Sequence, residues 1–192
     1  MVLRPIAVLS PRILVPLALV ACAGPVFLFD GRSLAGWQPL GDAHWSVRER
    51  EIVGAGEGDG FLATEAEYRD FHLRVEFRVD AETNSGIFIR CTDREVIHPD
   101  TCYEFNIWDR HPKQEARTGA IVFRAMPPRV HVDTLGRWNT YEITARGRFL
   151  EARVNGEVTA VLEDADPRGG FIALQRWEQG TVRFRNVELR LL

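Results

Sequence analysis

Lysine is almost absent from this chain of 192 residues: Lys113 is the single example, and arginine supplies the other basic side chains. The arginines are scattered and form no basic stripe, which argues against nucleic acid as a partner. No stretch of about 20 apolar residues is present, the length that a bilayer-spanning helix needs. A net charge of −3 and a charged fraction of 27% are ordinary for a soluble globular domain.

Several signatures of cofactor chemistry are also missing. No two histidines have the spacing of a zinc site, and no glycine-rich phosphate loop or exposed-nucleophile motif is found. No segment has a convincing helical period, and no internal repeat is present. The sequence therefore indicates no cofactor, although it leaves open a divalent cation beside an acidic side chain.

The amino terminus has the order of an export signal. Arg4 and Arg12 precede a short apolar run, Ile13 to Ala21, and Cys22 follows at once. A basic start, a short apolar stretch and small residues before the cleavage site are typical of a secretory signal peptide. Leu19 to Cys22 also resembles a bacterial lipobox, in which the cysteine is lipidated and becomes the first mature residue. The alternative is an ordinary signal peptide followed by a chance cysteine.

These features predict three segments. We expect a signal peptide with lipobox over residues 1–21, a short tether over 22–25 and one folded domain over 26–192. Ala23, rather than an aspartate, follows the cysteine. By resemblance to bacterial sorting rules, this favours an exported lipoprotein of the outer membrane, facing the periplasm or the cell surface. The membrane is then a partner through the lipid anchor.

The other two cysteines, Cys91 and Cys102, flank a polar loop at the edges of two predicted strands. Cysteines of an exported protein usually pair in the oxidising compartment. A hairpin would bring these two together, and we expect a disulfide. Two free buried thiols are the alternative.

The remainder of the chain has the pattern of successive strands. Residues 70–80 alternate apolar and polar side chains, so that one face is buried and the other is wet. Asn155–Gly156 is a strong signal for a tight hairpin turn, and the change of phase at Arg185–Asn186 predicts a β-bulge. Many short strands with glycine, proline and asparagine turns indicate a sandwich or jelly roll. Further strands are predicted at Gly86 to Arg90, Tyr103 to Trp108, Gly119 to Phe123, Trp138 to Ala145, Phe149 to Val154, Phe171 to Gln175 and Thr181 to Leu192.

A series of short phrases carries a family resemblance. They are Leu28 to Gly31 with Gly36–Trp37, Asp70–Phe71, Asn84 to Arg90, Tyr103–Glu104, Thr118 to Ala120, Trp138 to Glu142, Val154 to Gly156, Ile172 to Gln175 and Phe184 to Val187. In this order and spacing they resemble the 3-keto-disaccharide hydrolase domain family. Many members follow the Leu–Gln pair with a histidine and a glycine, whereas here Arg176 and Trp177 follow Gln175.

The resemblance implies an all-β, concanavalin A-like jelly-roll sandwich of two antiparallel sheets, with the sugar on the concave face. It also implies a hydrolase that acts on disaccharides whose glucose is oxidised at carbon 3, so the expected partner is a small carbohydrate. The second hypothesis is a non-catalytic, lectin-like carbohydrate-binding domain, since a fold alone does not give a function.

Strand alternation sorts the candidate site residues. Glu104, Asn106 and Trp108 share one face of their strand. If that strand pairs through the cysteine hairpin with the strand that ends at Arg90, the Arg90 and Glu104 side chains lie on the same concave surface. Gln175, on a later strand, could face the same hollow. We expect sugar binding by Asn106, Trp108 and Gln175, through amides for the hydroxyls and an indole for the ring.

The same surface supplies candidates for catalysis. We expect Glu104 to be the base and Arg90 the stabiliser of oxyanion charge, with Asp109 as an acid or a cation ligand. An arginine beside Glu104 would lower the pKa of the carboxyl, which conflicts with its use as a base. The alternatives are a fold-stabilising Arg90–Glu104 ion pair and a solvated turn at Asp109.

Replacement of Cys22 tests the predicted anchor. A lipidated cysteine carries two or more acyl chains, enough for stable membrane attachment. Cys22→Ser is therefore expected to release the protein into the soluble exported fraction, as measured by carbonate washing of membranes. The same variant is expected to show no free thiol without reductant. Retention on washed membranes would contradict the anchor, and two titratable thiols would contradict the disulfide.

Overall fold

The computed structural model describes residues 24–80, 83–127 and 133–192. The predicted signal peptide and the proposed lipidation site at Cys22 lie outside these described residues. Within the described ranges, no helix is long and apolar enough to cross a membrane.

The described residues form thirteen strands, one short 3-10 turn at Gln114–Ala116 and no α-helix. The strands are β1 Val26–Phe27, β2 Trp37–Gly41, β3 His44–Arg48, β4 Glu51–Ala55, β5 Gly60–Thr64, β6 Phe71–Val79, β7 Thr83–Cys91, β8 Tyr103–Ile107, β9 Asn139–Arg146, β10 Phe149–Val154, β11 Glu157–Leu162, β12 Phe171–Glu178 and β13 Val182–Leu191.

The strands form two antiparallel sheets. The larger sheet has the order β11-β10-β9-β6-β13-β4-β3, and β1 adds to β13. The smaller sheet has the order β2-β5-β12-β7-β8. The two sheets enclose one apolar core, in which the ring of Phe105 from β8 meets that of Tyr141 from β9 edge to face at 6.2 Å. This arrangement confirms the predicted all-β, concanavalin-like sandwich.

Strand β6 shows how the sequence pattern positions this core. Its five odd-numbered side chains from Phe71 to Val79 are buried, and the even-numbered ones are partly or fully exposed. The bulge predicted in β13 is also present, because the pairing of β13 with β6 shifts between Arg185 and Glu188. Asn186 takes a φ of 49° there, a conformation that asparagine tolerates better than most residues.

The smaller sheet differs from the larger one because four of its five strands, β5, β12, β7 and β8, are largely buried on both faces. All five residues of β8 are buried, as are eight of the nine residues of β7. The outer face of this sheet carries a second apolar cluster that includes Phe61, Phe88 and Phe171. The loops that follow β7 and β8 cover this face, and they create the enclosure described in the next subsection.

A β-bulge near the end of β7 brings one of these loops over the sheet. Phe171 pairs with Cys91 and Ala173 pairs with Phe88, so β7 has one residue more than β12 across this interval. Arg90 takes a φ of 57° at this point. The extra residue brings the Cys91 side chain to the outer face, where it joins the second apolar cluster. There it forms the predicted disulfide with Cys102.

The same bulge overturns the expected position of Arg90. Its side chain is fully buried, and it donates hydrogen bonds to the carbonyl oxygens of Asp166 at 2.5 Å and Gly147 at 2.8 Å. Its guanidinium also lies 3.8 Å from the Asp70 carboxylate. The expectation that Arg90 and Glu104 share a surface is therefore wrong, because strict alternation fails at a bulge.

One predicted strand is also wrong. Residues 119–123 do not form a strand: Ile121 makes single bridges to Phe105 and to Ala125. The chain reverses directly after Ile121, whose carbonyl accepts hydrogen bonds from the amides of Arg124 and Ala125. The apolar residues of this segment instead form a tight turn at the edge of β8.

Substitution of Arg90 distinguishes a structural role from a catalytic one. Arg90→Met removes a fully buried guanidinium and its hydrogen bonds to the carbonyl groups of Asp166 and Gly147, and it is expected to lower the free energy of unfolding by about 3 kcal/mol. Arg148, which forms an exposed ion pair with Asp164, provides the control. Arg148→Met is expected to change stability much less than Arg90→Met does, because solvent screens an exposed ion pair. Denaturant titration measures both, and an Arg90→Met protein of unchanged stability would contradict the structural role.

Candidate functional site

A cavity of ≈ 260 Å³ lies on the outer face of the smaller sheet. Strands β5, β7, β8 and β12 supply its floor, and the loops after β7 and β8 supply its walls. It is lined by Phe61, Asn84, Phe88, Ile97, His98, Pro99, Glu104, Asn106, Trp108, His111, Ala116, Val122, Phe123, Gln175 and Trp177. A mixed aromatic and polar lining of this kind is typical of a small-molecule site.

Strand register explains why three polar side chains meet on the floor. Gly86 of β7 pairs with Gln175 of β12 on one side and with Asn106 of β8 on the other. Glu104 lies two residues before Asn106 and therefore on the same face of β8. A Cβ atom at Gly86 would lie 3.0 Å from Glu104 Oε1 and 3.4 Å from Gln175 Oε1. The glycine thus leaves open the space between the two polar side chains.

Glu104 is the unusual ionisable group of this cavity. Glu104 is only 7% exposed, and no hydrogen bond to its carboxyl group is found within the described ranges. Burial raises the pKa of the Glu104 carboxyl to about 8, because the charged form loses its hydration. A buried carboxyl in a cavity, with a pKa near neutrality, is typical of a general acid or base.

The two amides of the floor are used differently. Gln175 is also 7% exposed, and its Oε1 has no hydrogen-bond partner in the described part of the chain. A buried polar atom without a partner is uncommon, and this one belongs to a residue that lines the cavity. Asn106 donates through Nδ2 to the carbonyl oxygen of Ala116 and accepts from the amide of Ile107. Its amide therefore supports the loop after β8.

Aromatic side chains provide flat surfaces around these polar groups. Trp108 meets His111 edge to face, with their ring centroids 4.5 Å apart. Phe61 lies beside Phe88 at 5.2 Å and beside Trp177 at 5.9 Å. Trp108 and Trp177 are both partly exposed, so their indoles remain available to a ligand.

Asp109 does not belong to this cavity. Its carboxylate accepts hydrogen bonds from the Thr118 hydroxyl, from the Thr134 hydroxyl at 2.8 Å and from the Thr134 amide at 2.6 Å. These contacts join two loops. Asp109 is therefore neither a second carboxylate of the site nor part of a solvated turn, and both expectations for it are wrong. Among the described residues, no cluster of three or more His, Cys, Asp and Glu side chains could hold a metal ion.

The structure brings together Glu104, Asn106, Trp108 and Gln175 as expected, but it also adds residues. Asn84 and Trp177 lie two residues from Gly86 and Gln175, and the alternation of their strands could have placed them on the same face. His98 and His111 come from loops, so no periodicity pointed to them. These two imidazoles line the cavity, whereas Arg176 donates to the carbonyl oxygens of Gly56 and Gly58 and does not line it.

Comparison with known proteins gives a family match and several structures of the same fold. The family model of the 3-keto-alpha-glucoside-1,2-lyase-like domain matches residues 24–190. No curated protein sequence gives a significant match.

Solved structures share the fold. A candidate glycosyl hydrolase from Parabacteroides distasonis superimposes with a TM-score of 0.78 at 20% identity, over 88% of this chain and 94% of its own. A second candidate glycosyl hydrolase from that organism has a TM-score of 0.71 and 25% identity, over 81% and 99%. A carbohydrate-binding module from Bacillus subtilis has a TM-score of 0.60 and 16% identity, over 81% and 95%. Taken with the family match, these structures indicate a glycosyl hydrolase-like or carbohydrate-binding function.

The burial of Glu104 has a consequence for stability that titration can measure. Because the pKa of this carboxyl is about 8 in the folded protein and 4.5 in the reference state, the folded chain holds a proton that the unfolded chain releases above pH 4.5. The free energy of unfolding is therefore expected to fall as the pH rises from 4.5 to 8 and to lose no more above 8. Glu104→Gln removes this loss and is expected to be more stable than the parent by up to about 5 kcal/mol at pH 8.

Urea titrations at several pH values between 4.5 and 9 measure this difference. The exposed Glu67 provides the matched control, and Glu67→Gln is expected to retain the pH dependence of the parent. Parallel curves for the parent and Glu104→Gln would show that Glu104 is not buried without a partner.

Proposed function

The chain belongs to the 3-keto-alpha-glucoside-1,2-lyase-like domain family, and on that premise we propose that it cleaves the glycosidic bond of 3-keto-glycosides in the cavity around Glu104. The observation that carries this proposal is the buried Glu104 carboxyl, whose pKa is raised to about 8 on the floor of that cavity.

A ketone at carbon 3 defines what such a site must do. It acidifies the hydrogen on carbon 2, and a base that takes this proton leaves the electron pair in a carbon 2–carbon 3 enolate. When the ketone re-forms, the pair makes a carbon 1–carbon 2 double bond and expels the glycosidic oxygen, which takes up a proton. Addition of water to this double bond, with hydroxyl to carbon 1 and hydrogen to carbon 2, gives the free 3-keto sugar.

Glu104 has the properties of the base in this reaction. A carboxylate whose conjugate acid has a pKa of about 8 is a stronger base than an exposed carboxylate, and it is ionised in a useful fraction at neutral pH. Arg90 does not lower the pKa of Glu104 as the sequence analysis expected, because its guanidinium contacts Asp70 and backbone carbonyls instead. Among the residues that the structure describes, no arginine lines the cavity, and none of them lowers the basicity of Glu104.

The remaining lining suits recognition of the sugar. Gln175 Oε1 is buried without a hydrogen-bond partner among the described residues, and a sugar hydroxyl would satisfy it by donating a hydrogen bond. Trp108 and Trp177 offer flat apolar surfaces to a pyranose ring. The imidazole rings of His98 and His111 lie in the walls of the cavity, where they could hydrogen-bond the leaving oxygen.

A non-catalytic carbohydrate-binding domain is the second candidate function. The observation that favours it is the likeness in fold to a carbohydrate-binding module from Bacillus subtilis, together with an aromatic cavity lining that binding alone would use. The two functions differ in the role of Glu104. A binding domain needs its hydrogen-bonding capacity, which glutamine largely keeps, whereas the reaction needs its basicity, which glutamine lacks.

Turnover of a defined 3-keto-glycoside tests the proposal. We expect the purified protein to release free sugar from 3-keto-trehalose, with kcat/KM rising as the pH approaches about 8 and levelling above it, because Glu104 must be ionised. Glu104→Gln is expected to lower kcat by about 100-fold or more while sugar affinity, measured by calorimetry, changes little.

The outcomes separate the two functions. Binding of sugar without release from any 3-keto-glycoside, by a correctly folded protein, would leave the carbohydrate-binding function and remove the enzymatic one. Unchanged turnover by Glu104→Gln would remove Glu104 from the reaction. Glu67→Gln serves again as the control, and its pH profile should match that of the parent.

A further inference from the structure

Phe123 combines three features that few phenylalanines share. It is 63% exposed, it takes a φ of 61°, and it lines the cavity that contains Glu104. A large side chain in the left-handed region is an uncommon and strained arrangement. Neither core packing nor turn preference accounts for this side chain.

The turn around Phe123 makes the choice of residue more unusual. The amide of Arg124 donates to the carbonyl of Ile121 at 2.9 Å, so Phe123 occupies the third position of a β-turn. With a positive φ, that position favours glycine or asparagine. Glycine would form the same turn without strain, and an exposed aromatic ring contributes little to folding. The phenylalanine therefore points to a contact made outside the folded chain.

Neighbouring contacts hold this turn against the site. The amide of Val122 donates to the carbonyl oxygen of Glu104 at 3.0 Å, which joins the turn to the strand that carries the proposed base. The Arg124 guanidinium lies 4.8 Å from the centroid of the Tyr103 ring and donates to the carbonyl of Pro99 at 3.2 Å. Phe123 is thus presented at the cavity from a turn that is fixed on both sides.

The surroundings of Phe123 differ in chemistry from the cavity floor. The amides and the carboxyl are all carried by strands of the floor. The turn contributes Val122 and Phe123, and the disulfide-closed loop contributes Ile97 and Pro99, all apolar, with His98 as the one polar side chain among these five lining residues. A second sugar ring would bring several hydroxyls to this wall and find few partners, whereas a flat apolar group would bury its surface without such a loss.

We propose that Phe123 forms the aglycone subsite of the cavity, and that the substrates are 3-keto-glycosides with an aryl aglycone, whose ring packs on Phe123 while the keto sugar lies over Glu104 and Gln175. The binding of the keto sugar over Glu104 and Gln175 rests on the proposed function. The contact between Phe123 and the aryl ring does not depend on that function.

The test compares variants on each substrate, so that differences in leaving-group reactivity cancel. Phe123→Gly is expected to lower kcat/KM for phenyl 3-keto-glucoside by about 10-fold, an aromatic contact plus buried area worth about 1.4 kcal/mol. Its kcat/KM for methyl 3-keto-glucoside and for 3-keto-trehalose is expected to stay within about 2-fold. Phe123→Tyr is expected to behave as the parent.

Two controls exclude an effect through folding. Phe123→Gly places glycine at a positive φ, and its melting temperature is expected to equal or exceed that of the parent. Met126, which is 60% exposed and does not line the cavity, is the matched apolar surface residue. Met126→Ala is expected to leave kcat/KM unchanged for all three substrates.

Each other outcome overturns the inference. An equal loss on phenyl and methyl substrates would assign Phe123 to the turn rather than to a subsite. An equal loss on phenyl 3-keto-glucoside and 3-keto-trehalose, with the methyl substrate unaffected, would assign the wall to a second sugar ring. No loss on any substrate would remove Phe123 from the site.

Failure of the proposed function would be recognised separately, because methyl 3-keto-glucoside would then not react either. The subsite would in that case be tested by calorimetric binding of phenyl glucoside. A roughly 10-fold weaker binding to Phe123→Gly, with methyl glucoside unchanged, would support the subsite, and equal binding would overturn it.

Discussion

The bulge at Arg90 is the constraint on which the rest of the smaller sheet depends. One additional residue in β7 reverses the direction of the following side chains, so Arg90 enters the interior and Cys91 emerges on the outer face. The disulfide to Cys102 can then fold the intervening loop over that face. The loop carries Ile97, His98 and Pro99 into the cavity wall. Without the bulge, alternation would place Arg90 on the outer face and turn Cys91 inward.

Enclosure by these loops gives Glu104 its chemical character. The carboxyl lies on the outer face of a sheet, a position that is normally wet in an antiparallel sandwich. Because the face is covered, burial favours the neutral form of the carboxyl and raises its pKa to about 8. The same burial lowers the stability of the folded protein above pH 4.5. Burial of Glu104 therefore increases the basicity of the carboxyl at the expense of stability, as is common at functional sites.

The sequence pattern was sufficient for the regular parts of this fold. Alternation in β6 and the phase change near Asn186 follow from side-chain period alone, and the cysteine pair follows from the spacing of two strand edges. Periodicity also placed Glu104, Asn106 and Trp108 on one face, and Gln175 of a later strand was expected to face the same hollow. It failed for Arg90, because a bulge changes the phase without a marked change in composition. It failed for residues 119–123, where apolar side chains serve a turn that lies against β8.

Side chains from loops were the least predictable part of the site. The hydrogen bonds that place Asp109 come from Thr118 and Thr134, which lie 9 and 25 residues away in sequence, and no local pattern encodes such a contact. The walls supplied by His98, His111 and Phe123 depend on the same kind of long-range packing. The sequence therefore located the floor of the cavity, whereas its walls required the structure.

The scarcity of lysine takes on a practical meaning in this setting. Lys113 is exposed, and its backbone amide donates to Nδ1 of His111, a residue of the cavity wall, at 3.0 Å. Arginine guanidinium groups do not react with common acylating dyes. Lys113 therefore carries the single side-chain amine of the sequence that such a dye can label, and it lies close to the cavity wall. A fluorophore attached there would sense occupancy of the cavity in the unmutated protein, and its emission could follow ligand entry in real time.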